Sequence, residues 1–171
     1  MTVRRQENKG HRLRIAVLFA AFMSCAALWS GSEGTVHAAT TERVVLDRYT
    51  GLAISGYDPV AYFTDGKPVI GRPDVETSQG GAVWRFANEN NRTFFLAHPE
   101  VYAPQFGGYD PVDAARGVII AGRFNVWLIS GDRLYLFSRE ENRDAFSRNP
   151  SRFAAEAAAN WPRLRATLSD Y

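Results

Sequence analysis

The sequence predicts an α+β fold: a small antiparallel sheet that includes a hairpin over residues 125–137, several short helices and a helical C-terminus. Three observations support this class. β-forming residues cluster at 82–86 and in both arms of the hairpin. Asp-Pro or Asn-Pro steps occur at 58–59, 110–111 and 149–150, and a capping side chain followed by proline commonly begins a helix. The last step opens an alanine-rich segment, which favours helix near the C-terminus.

The first elements of the predicted domain are a short strand, a short helix and a loop. Residues 44–46 are apolar and β-forming, so they predict the strand. Asp58 can cap the free N–H groups of a helix that should end near residues 65–66. Residues 66–81 are rich in glycine, proline and polar side chains, which indicates a loop.

The central elements repeat this pattern of strand and capped helix. After the strand at 82–86, Asn88 is placed to cap a helix, and Pro99 should end or restart that helix. A turn-rich connection follows. Asp110 then begins a short helix that should reach about Arg116.

The last elements are the hairpin and the C-terminal helices. Ser138 and Glu141 have the spacing of a capping box, which predicts the start of a helix just after the hairpin. Asn149 begins the alanine-rich helix, which should run toward Pro162. A final short helix should take the chain to Ser169.

One pentapeptide, GYDPV, occurs at residues 56–60 and again at 108–112. The residues flanking the two copies do not match, which speaks against an internal duplication. The simpler interpretation is that each copy forms a tight turn into a capped helix, because Asp-Pro favours a helix start. A shared role in ligand binding is the alternative.

Residues 1–38 have the composition of a secretory signal peptide. Basic residues come first, an apolar segment follows at 15–29, and small residues precede a cleavage site after Ala38 or one residue later. The apolar segment is shorter than the ~20 residues of a transmembrane helix, so we expect no membrane anchor after cleavage. The mature domain, residues 39–171, should be periplasmic or secreted, with lipidation of Cys25 as the alternative.

The composition of the mature chain excludes several kinds of site. Five of the 20 basic and two of the 18 acidic residues precede residue 39, which leaves 15 and 16 and no basic face for nucleic acid. The single cysteine, Cys25, lies in the leader, and His98 is the one histidine beyond it. Thiol chemistry and the usual Cys/His metal sites are therefore excluded.

Several motifs resemble those of the exported YHS-domain proteins. GYDPVAYF at residues 56–63 resembles their opening motif, and residues 84–95 resemble their central strand and helix. PEVYAPQFGGY at residues 99–109 is the most specific stretch. The resemblance covers about residues 50–163 and implies a single YHS-like domain, a small module for which a metal-related role is often supposed.

The chain departs from this family at one position. Many exported members follow Gly-Gly-Tyr with a cysteine or selenocysteine, whereas here Gly107, Gly108 and Tyr109 are followed by Asp110. Free N–H groups at a helix start stabilise either a thiolate or a carboxylate. Aspartate keeps the negative charge but supplies no redox or soft-metal chemistry. We predict that Asp110 caps the helix that follows Pro111.

Three aspartates and one histidine are the candidate metal ligands. Asp58, Asp110 and Asp113 could offer oxygen atoms to a hard cation if the two GYDPV turns meet in space, with or without His98. The structural alternative is that Asp58 and Asp110 are helix caps and Asp113 is a solvated helix residue. For His98, a favourable interaction with a helix C-terminus is the corresponding alternative.

An aromatic pocket is the second candidate site. Tyr57, Tyr62, Tyr102 and Tyr109 could line it, with Gln105 as a polar contact. The alternative is that most of these rings form the core of a small domain.

Together these patterns favour an exported, non-enzymatic binding or interaction module of the YHS type. Its ligand is unknown, it lacks the family's thiol, and a protein of the cell envelope is a possible partner. A metal-binding protein that uses oxygen ligands is the alternative. No enzyme is expected because no nucleophile–base or acid–base set is visible, and no cofactor is predicted.

Overall fold

The computed structural model describes residues 44–168 of the 171-residue chain. The predicted leader, its cleavage site and Cys25 lie outside the described residues. Two antiparallel hairpins and a series of helices make up the described part, so the predicted α+β class is confirmed. Between residues 44 and 168, no helix is both long and apolar enough to cross a membrane.

The strands form two hairpins: β1 (Arg72–Gln79) pairs with β2 (Ala82–Phe86), and β3 (Arg123–Ser130) pairs with β4 (Arg133–Phe137). Two 3₁₀ turns span Ile54–Gly56 and Gln105–Gly108. The helices are α1 (Ala61–Thr64), α2 (Glu89–Ala97), α3 (Pro99–Tyr102), α4 (Pro111–Ala115), α5 (Glu140–Arg148) and α6 (Pro150–Arg165).

Most predicted elements lie where the sequence places them. β2, the second hairpin and the helix after Asp110 all have the expected positions. Asn88 caps α2 by accepting a hydrogen bond from the Asn91 amide at 2.9 Å. The strand predicted at 44–46 is reduced to an isolated bridge between Leu46 and Ala53.

The predicted loop at 66–81 is wrong, because β1 occupies half of it. Val75 is the buried residue of this strand, and most of the others are exposed. An exposed strand has the polar composition of a loop, so composition alone could not identify it. Gly80 and Gly81, both with positive φ, form the turn that joins β1 to β2.

The predicted break in the C-terminal helix is also wrong, since α6 continues through Pro162 to Arg165. Proline removes one backbone hydrogen bond from a helix interior. Packing on both sides of Pro162 offsets that loss: Leu164 is buried, and the Trp161 ring lies 5.6 Å from the ring of Phe106.

The described elements occur twice in the same order: a 3₁₀ turn, a short helix, a hairpin, a nine-residue helix and a helix that starts at proline. Corresponding residues are 52 positions apart up to Val60 and Val112, and 51 apart from Gly71 and Gly122 onward. We call residues 53–102 the first repeat and 105–153 the second repeat.

Backbone geometry supports this correspondence. Residues 54–56 have φ values of 44°, 56° and 78°, and residues 106–108 have 53°, 62° and 90°. Such positive φ values at three consecutive positions are uncommon outside glycine. The expectation that the unmatched flanks speak against a duplication is therefore wrong at the level of structure. Each GYDPV copy does form a turn that leads into a short helix, as predicted.

A glycine after each short helix makes an equivalent close approach. The amide of Gly71 donates to the carbonyl of Gly56 at 2.8 Å, and that of Gly122 donates to Gly108 at 2.9 Å. A Cβ on Gly71 would lie 2.5 Å from the carbonyl carbon of Arg85, and one on Gly122 would lie 2.6 Å from the oxygen of Gly108. Only glycine fits at either position.

The apolar core follows the same duplication. One cluster in the second repeat consists of Val112, Val126, Tyr135, Phe137 and Phe146. The corresponding residues of the first repeat all belong to another cluster: Val60, Val75, Trp84, Phe86 and Phe95. Leu134 and Leu136 of β4 also join the first-repeat cluster, so the two repeats share one continuous packing surface.

Candidate functional site

Asp58 is fully buried, and both of its carboxylate oxygens accept hydrogen bonds. Oδ1 accepts from the backbone amides of Val60 at 2.8 Å and Ala61 at 3.4 Å, in the turn that leads into α1. The N-cap position of α1 is Val60 rather than the predicted Asp58. Oδ2 accepts from the Ala87 amide at 2.8 Å and from Nδ2 of Asn91 at 2.7 Å. The carboxylate therefore ties the start of α1 to the end of β2 and to α2.

Asp110 makes the same arrangement in the second repeat and is also fully buried. Oδ1 accepts from the amides of Val112 at 2.9 Å and Asp113 at 3.3 Å, so the predicted cap of α4 is confirmed. Oδ2 accepts from the amide and the hydroxyl of Ser138, both at 2.8 Å, and from Nδ2 of Asn142 at 2.8 Å. We call each buried aspartate with its donors a carboxylate cluster.

The two carboxylate clusters solve a common physical problem. A buried carboxylate is costly unless hydrogen bonds replace its hydration, and four or five donors do so here. Backbone amides and an asparagine amide are poor neighbours for a bound cation, because they point N–H groups at the oxygens a cation would need. The arrangement therefore fits a structural role better than metal ligation.

Asp113 distinguishes the second repeat from the first. It is 5% exposed, so the expectation of a solvated helix residue is wrong. Its carboxylate contacts the guanidinium groups of Arg116 at 3.2 Å and Arg139 at 3.1 Å. Its counterpart in the first repeat is Ala61, which can make no such contact.

The predicted capping box at Ser138 is wrong. α5 begins one residue later than that motif implies, with Arg139 at the N-cap position and no capping side chain. The Ser138 hydroxyl instead lies 2.8 Å from Oδ2 of Asp110 and 3.1 Å from Oδ2 of Asp113. The Ser138 hydroxyl therefore donates to two carboxylates rather than accepting from the amides of α5.

His98 lies at the end of α2, where the sequence predicts it, and its side chain is 62% exposed. Nδ1 is 3.5 Å from the carboxylate of Glu100. Asp58 and Asp110 do not join it: in the described range 44–168, no group of three or more His, Cys, Asp or Glu side chains is arranged to hold a metal ion.

Tyr62 and Tyr57 connect the two repeats. The Tyr62 hydroxyl is buried and donates to the carbonyl oxygen of Phe124 at 2.8 Å. Burial raises the pKa of this hydroxyl, and Tyr57 and Asp58 add smaller contributions in the same direction. The Tyr57 ring stacks on the ring of Phe124, with 4.0 Å between centroids.

The other two candidate tyrosines also pack against aromatic neighbours. The Tyr102 ring meets that of Phe63 edge-on at 5.2 Å, and the Tyr109 ring lies 5.9 Å from that of Trp161. Tyr57 and Tyr62 thus share Phe124 as a partner, whereas Tyr102 and Tyr109 contact other rings.

Gln105 lies instead in a pocket of about 210 Å³. The pocket is lined by Pro99, Glu100, Ala103, Pro104, Gln105, Phe106 and Arg133. Of the five residues predicted to form a pocket, Gln105 alone lines this one.

Sequence reasoning missed three residues that the structure places at these sites. Asn91 and Asn142 follow their aspartates by 33 and 32 residues, and this near-equal spacing after each GYDPV copy is a signal that could have found them. Arg133 had no such signal, because it resembles any charged residue at the end of a hairpin turn. Comparison of the chain with family models, curated proteins and solved structures gives no match.

Proposed function

We propose that this protein is an exported, non-enzymatic binding or interaction module of the YHS type. It acts through its surface rather than through a metal or a thiol. The signal-peptide composition of residues 1–38 supports export to the periplasm or the exterior. The motif resemblance over about residues 50–163 supports the family assignment.

The observation that carries the proposal is the state of the two buried carboxylates. Asp58 and Asp110 are the residues of the repeated motif best suited to bind a metal or a ligand. Each is surrounded by hydrogen-bond donors from its own chain. A carboxylate in this setting stabilises the fold and has no oxygen directed toward a ligand. The repeated motif is therefore explained by structure.

The remaining candidate for chemistry is His98, which stands apart from both carboxylate clusters. A catalytic base needs a nucleophile or an orienting group within hydrogen-bond reach. Its neighbour in the structure is Glu100, at 3.5 Å, and both side chains are 62% exposed to solvent. This exposed pair at the end of a helix supports a surface role.

Metal analysis of the purified protein tests the proposal. We expect no stoichiometric calcium, magnesium, copper or zinc, and no change in Tm when each metal is added, because a ligand that binds the native state raises Tm. His98→Ala serves as the matched variant, since it removes an exposed imidazole without touching the core. A stoichiometric metal that Asp110→Asn or His98→Ala fails to bind would overturn the proposal in favour of oxygen-ligand metal binding.

A further inference from the structure

Arg133 lines the 210 Å³ pocket with most of its hydrogen-bonding capacity unused. Nη1 donates to the backbone carbonyl of Glu100 at 2.9 Å, which fixes the guanidinium beside α3. Within the described part of the chain, no carboxylate lies within 4.0 Å of this cation. An arginine carries five N–H donors, so several remain for a ligand.

Gln105 lines the same pocket and is half-buried. Across residues 44–168, its side-chain amide takes part in no hydrogen bond with another residue of the chain. An amide offers both donors and an acceptor. The side chains of Gln105 and Arg133 therefore both offer hydrogen-bonding groups that other described residues of the chain do not use.

The first repeat shows that the fold does not need this pair. The counterparts of Gln105 and Arg133 are Ala53 and Ala82, which are 0% and 4% exposed. Where the first repeat has two small buried residues, the second repeat has two long polar side chains at a pocket. The carboxylate clusters are kept in both repeats, whereas this polar pair occurs in one.

Four of the other lining residues are apolar, and the volume is small. Pro99, Ala103, Pro104 and Phe106 supply apolar surface. Pockets for drug-sized ligands run from about 300 Å³ upward, so this pocket suits a smaller group. Glu100 also lines it, but its carboxylate lies 3.5 Å from His98, and its backbone carbonyl is the part that Arg133 contacts.

We propose that this pocket binds a small organic carboxylate, with Arg133 pairing with the carboxylate, Gln105 adding a hydrogen bond and the proline–phenylalanine wall covering an apolar body. The planar guanidinium matches a carboxylate in a two-bond geometry, and this gives the pocket its selectivity. The proposal rests on the proposed binding function and names its ligand chemistry. The carboxylate belongs either to a free acid or to the C-terminus of a peptide.

Amide-resolved NMR titration of the purified ¹⁵N-labelled protein tests this assignment. The probes are 3-phenylpropionate and its neutral amide, followed by acetyl-glycyl-phenylalanine with a free or an amidated C-terminus. We expect the acids to produce saturable shifts at Gln105, Phe106 and Arg133, and the two neutral probes to produce none. The acid that binds more tightly identifies the source of the carboxylate.

Variants separate recognition by Arg133 from a general effect of charge. Arg133→Gln should weaken acid binding by about tenfold or more, because a charge-assisted pair is lost. Gln105→Ala should weaken it less. Glu100→Gln is the control: it removes a nearby negative charge and should leave acid binding equal or tighter. Thermal unfolding of each variant establishes that it is folded, and Gln105→Ala keeps the test open if Arg133→Gln is not.

Equal binding of acid and amide, shifts confined to other surfaces, or full affinity in folded Arg133→Gln would overturn the carboxylate site. None of these results would bear on the binding-module proposal, which the metal measurements test. Conversely, a stoichiometric metal would overturn that proposal even if the acids bind at Arg133.

Discussion

The first and second repeats bury an aspartate in the same way but surround it differently. In both, one carboxylate oxygen accepts from two backbone amides at the start of a short helix, and the other accepts from a backbone amide at the end of a hairpin and from an asparagine amide. Around Asp110, the second repeat adds Asp113, Ser138 and Arg139, where the first repeat has Ala61, Ala87 and Asn88. The shared part defines the folding unit, and the added part belongs to one copy.

The comparison of the two repeats changes the interpretation of Asp110. The motif resemblance compares Asp110 with a cysteine that is common in YHS-domain proteins. Within the chain, its counterpart is Asp58, which makes the equivalent hydrogen bonds. The aspartate is therefore the residue that this fold uses at both positions, and a thiol, which is a weak acceptor, could not replace it for Asn142 and Ser138.

The largest expected effect comes from replacing each buried carboxylate with an amide. Asp58→Asn and Asp110→Asn each place an NH₂ group against buried donors in either orientation, so each should lower the free energy of unfolding by about 3 kcal/mol. Urea unfolding measures the difference. Asp110→Cys should cost at least as much, because a thiol is a weak hydrogen-bond acceptor.

The control is Asp144→Asn, which changes an exposed carboxylate that contacts Arg143. It should lie within about 0.5 kcal/mol of the unsubstituted protein. If Asp110→Asn were as mild as this control while Asp58→Asn was severe, the two carboxylate clusters would not be equivalent. Asp110 would then be free for another role.

A smaller effect is expected from adding one methyl group at the equivalent glycines. Gly71→Ala and Gly122→Ala should each destabilise by roughly 2 kcal/mol, because the new Cβ would lie within 2.6 Å of the chain in both repeats. Gly80→Ala is the control, since it has positive φ but open space around it, and should cost about 1 kcal/mol. If only one of Gly71→Ala and Gly122→Ala destabilised the protein, the structural equivalence of the two repeats would be limited to their 3₁₀ turns.

The sequence predicts local structure best where one residue decides it. Asn88 and Asp110 each accept hydrogen bonds from amides of the helix that they precede, and both caps lie where expected. The predicted cap at Ser138 is wrong because the Ser138 hydroxyl donates to Asp110, which lies 28 residues earlier in the chain. Capping patterns predict only the local competition for a hydrogen bond.

The duplication and the pocket could not be predicted because both depend on distant residues. The repeats preserve which positions are small, buried or hydrogen-bonded, and different side chains meet those requirements, as Trp84 and Tyr135 do. Gln105 and Arg133 are brought together only when β4 packs beside the second 3₁₀ turn. No local pattern contains that contact.

The smallest expected effect concerns a hydrogen bond between the repeats. Tyr62→Phe removes the bond to the Phe124 carbonyl and should cost about 1 kcal/mol at pH 7.

The pH dependence of stability identifies the cause of this difference. Burial raises the pKa of the folded-state hydroxyl above its usual value of about 10, so above that pH the unfolded chain releases a proton that the folded chain retains. Stability is therefore unaffected by Tyr62 ionisation below pH 10 and falls above it, by about 1.4 kcal/mol per pH unit for this one group.

Tyr62→Phe should consequently lose less stability than the unsubstituted protein between pH 9.5 and 11, so that the difference seen at pH 7 shrinks. Tyr49→Phe is the matched control, because Tyr49 is 98% exposed and its removal should leave the pH profile unchanged. The pKa of Tyr135 is also raised by burial, so some alkaline loss should remain in every variant. Parallel profiles for Tyr62→Phe and the unsubstituted protein would mean that the hydroxyl is not enclosed between the repeats. The contact joining them would then be the Tyr57–Phe124 stack and the shared apolar cluster alone.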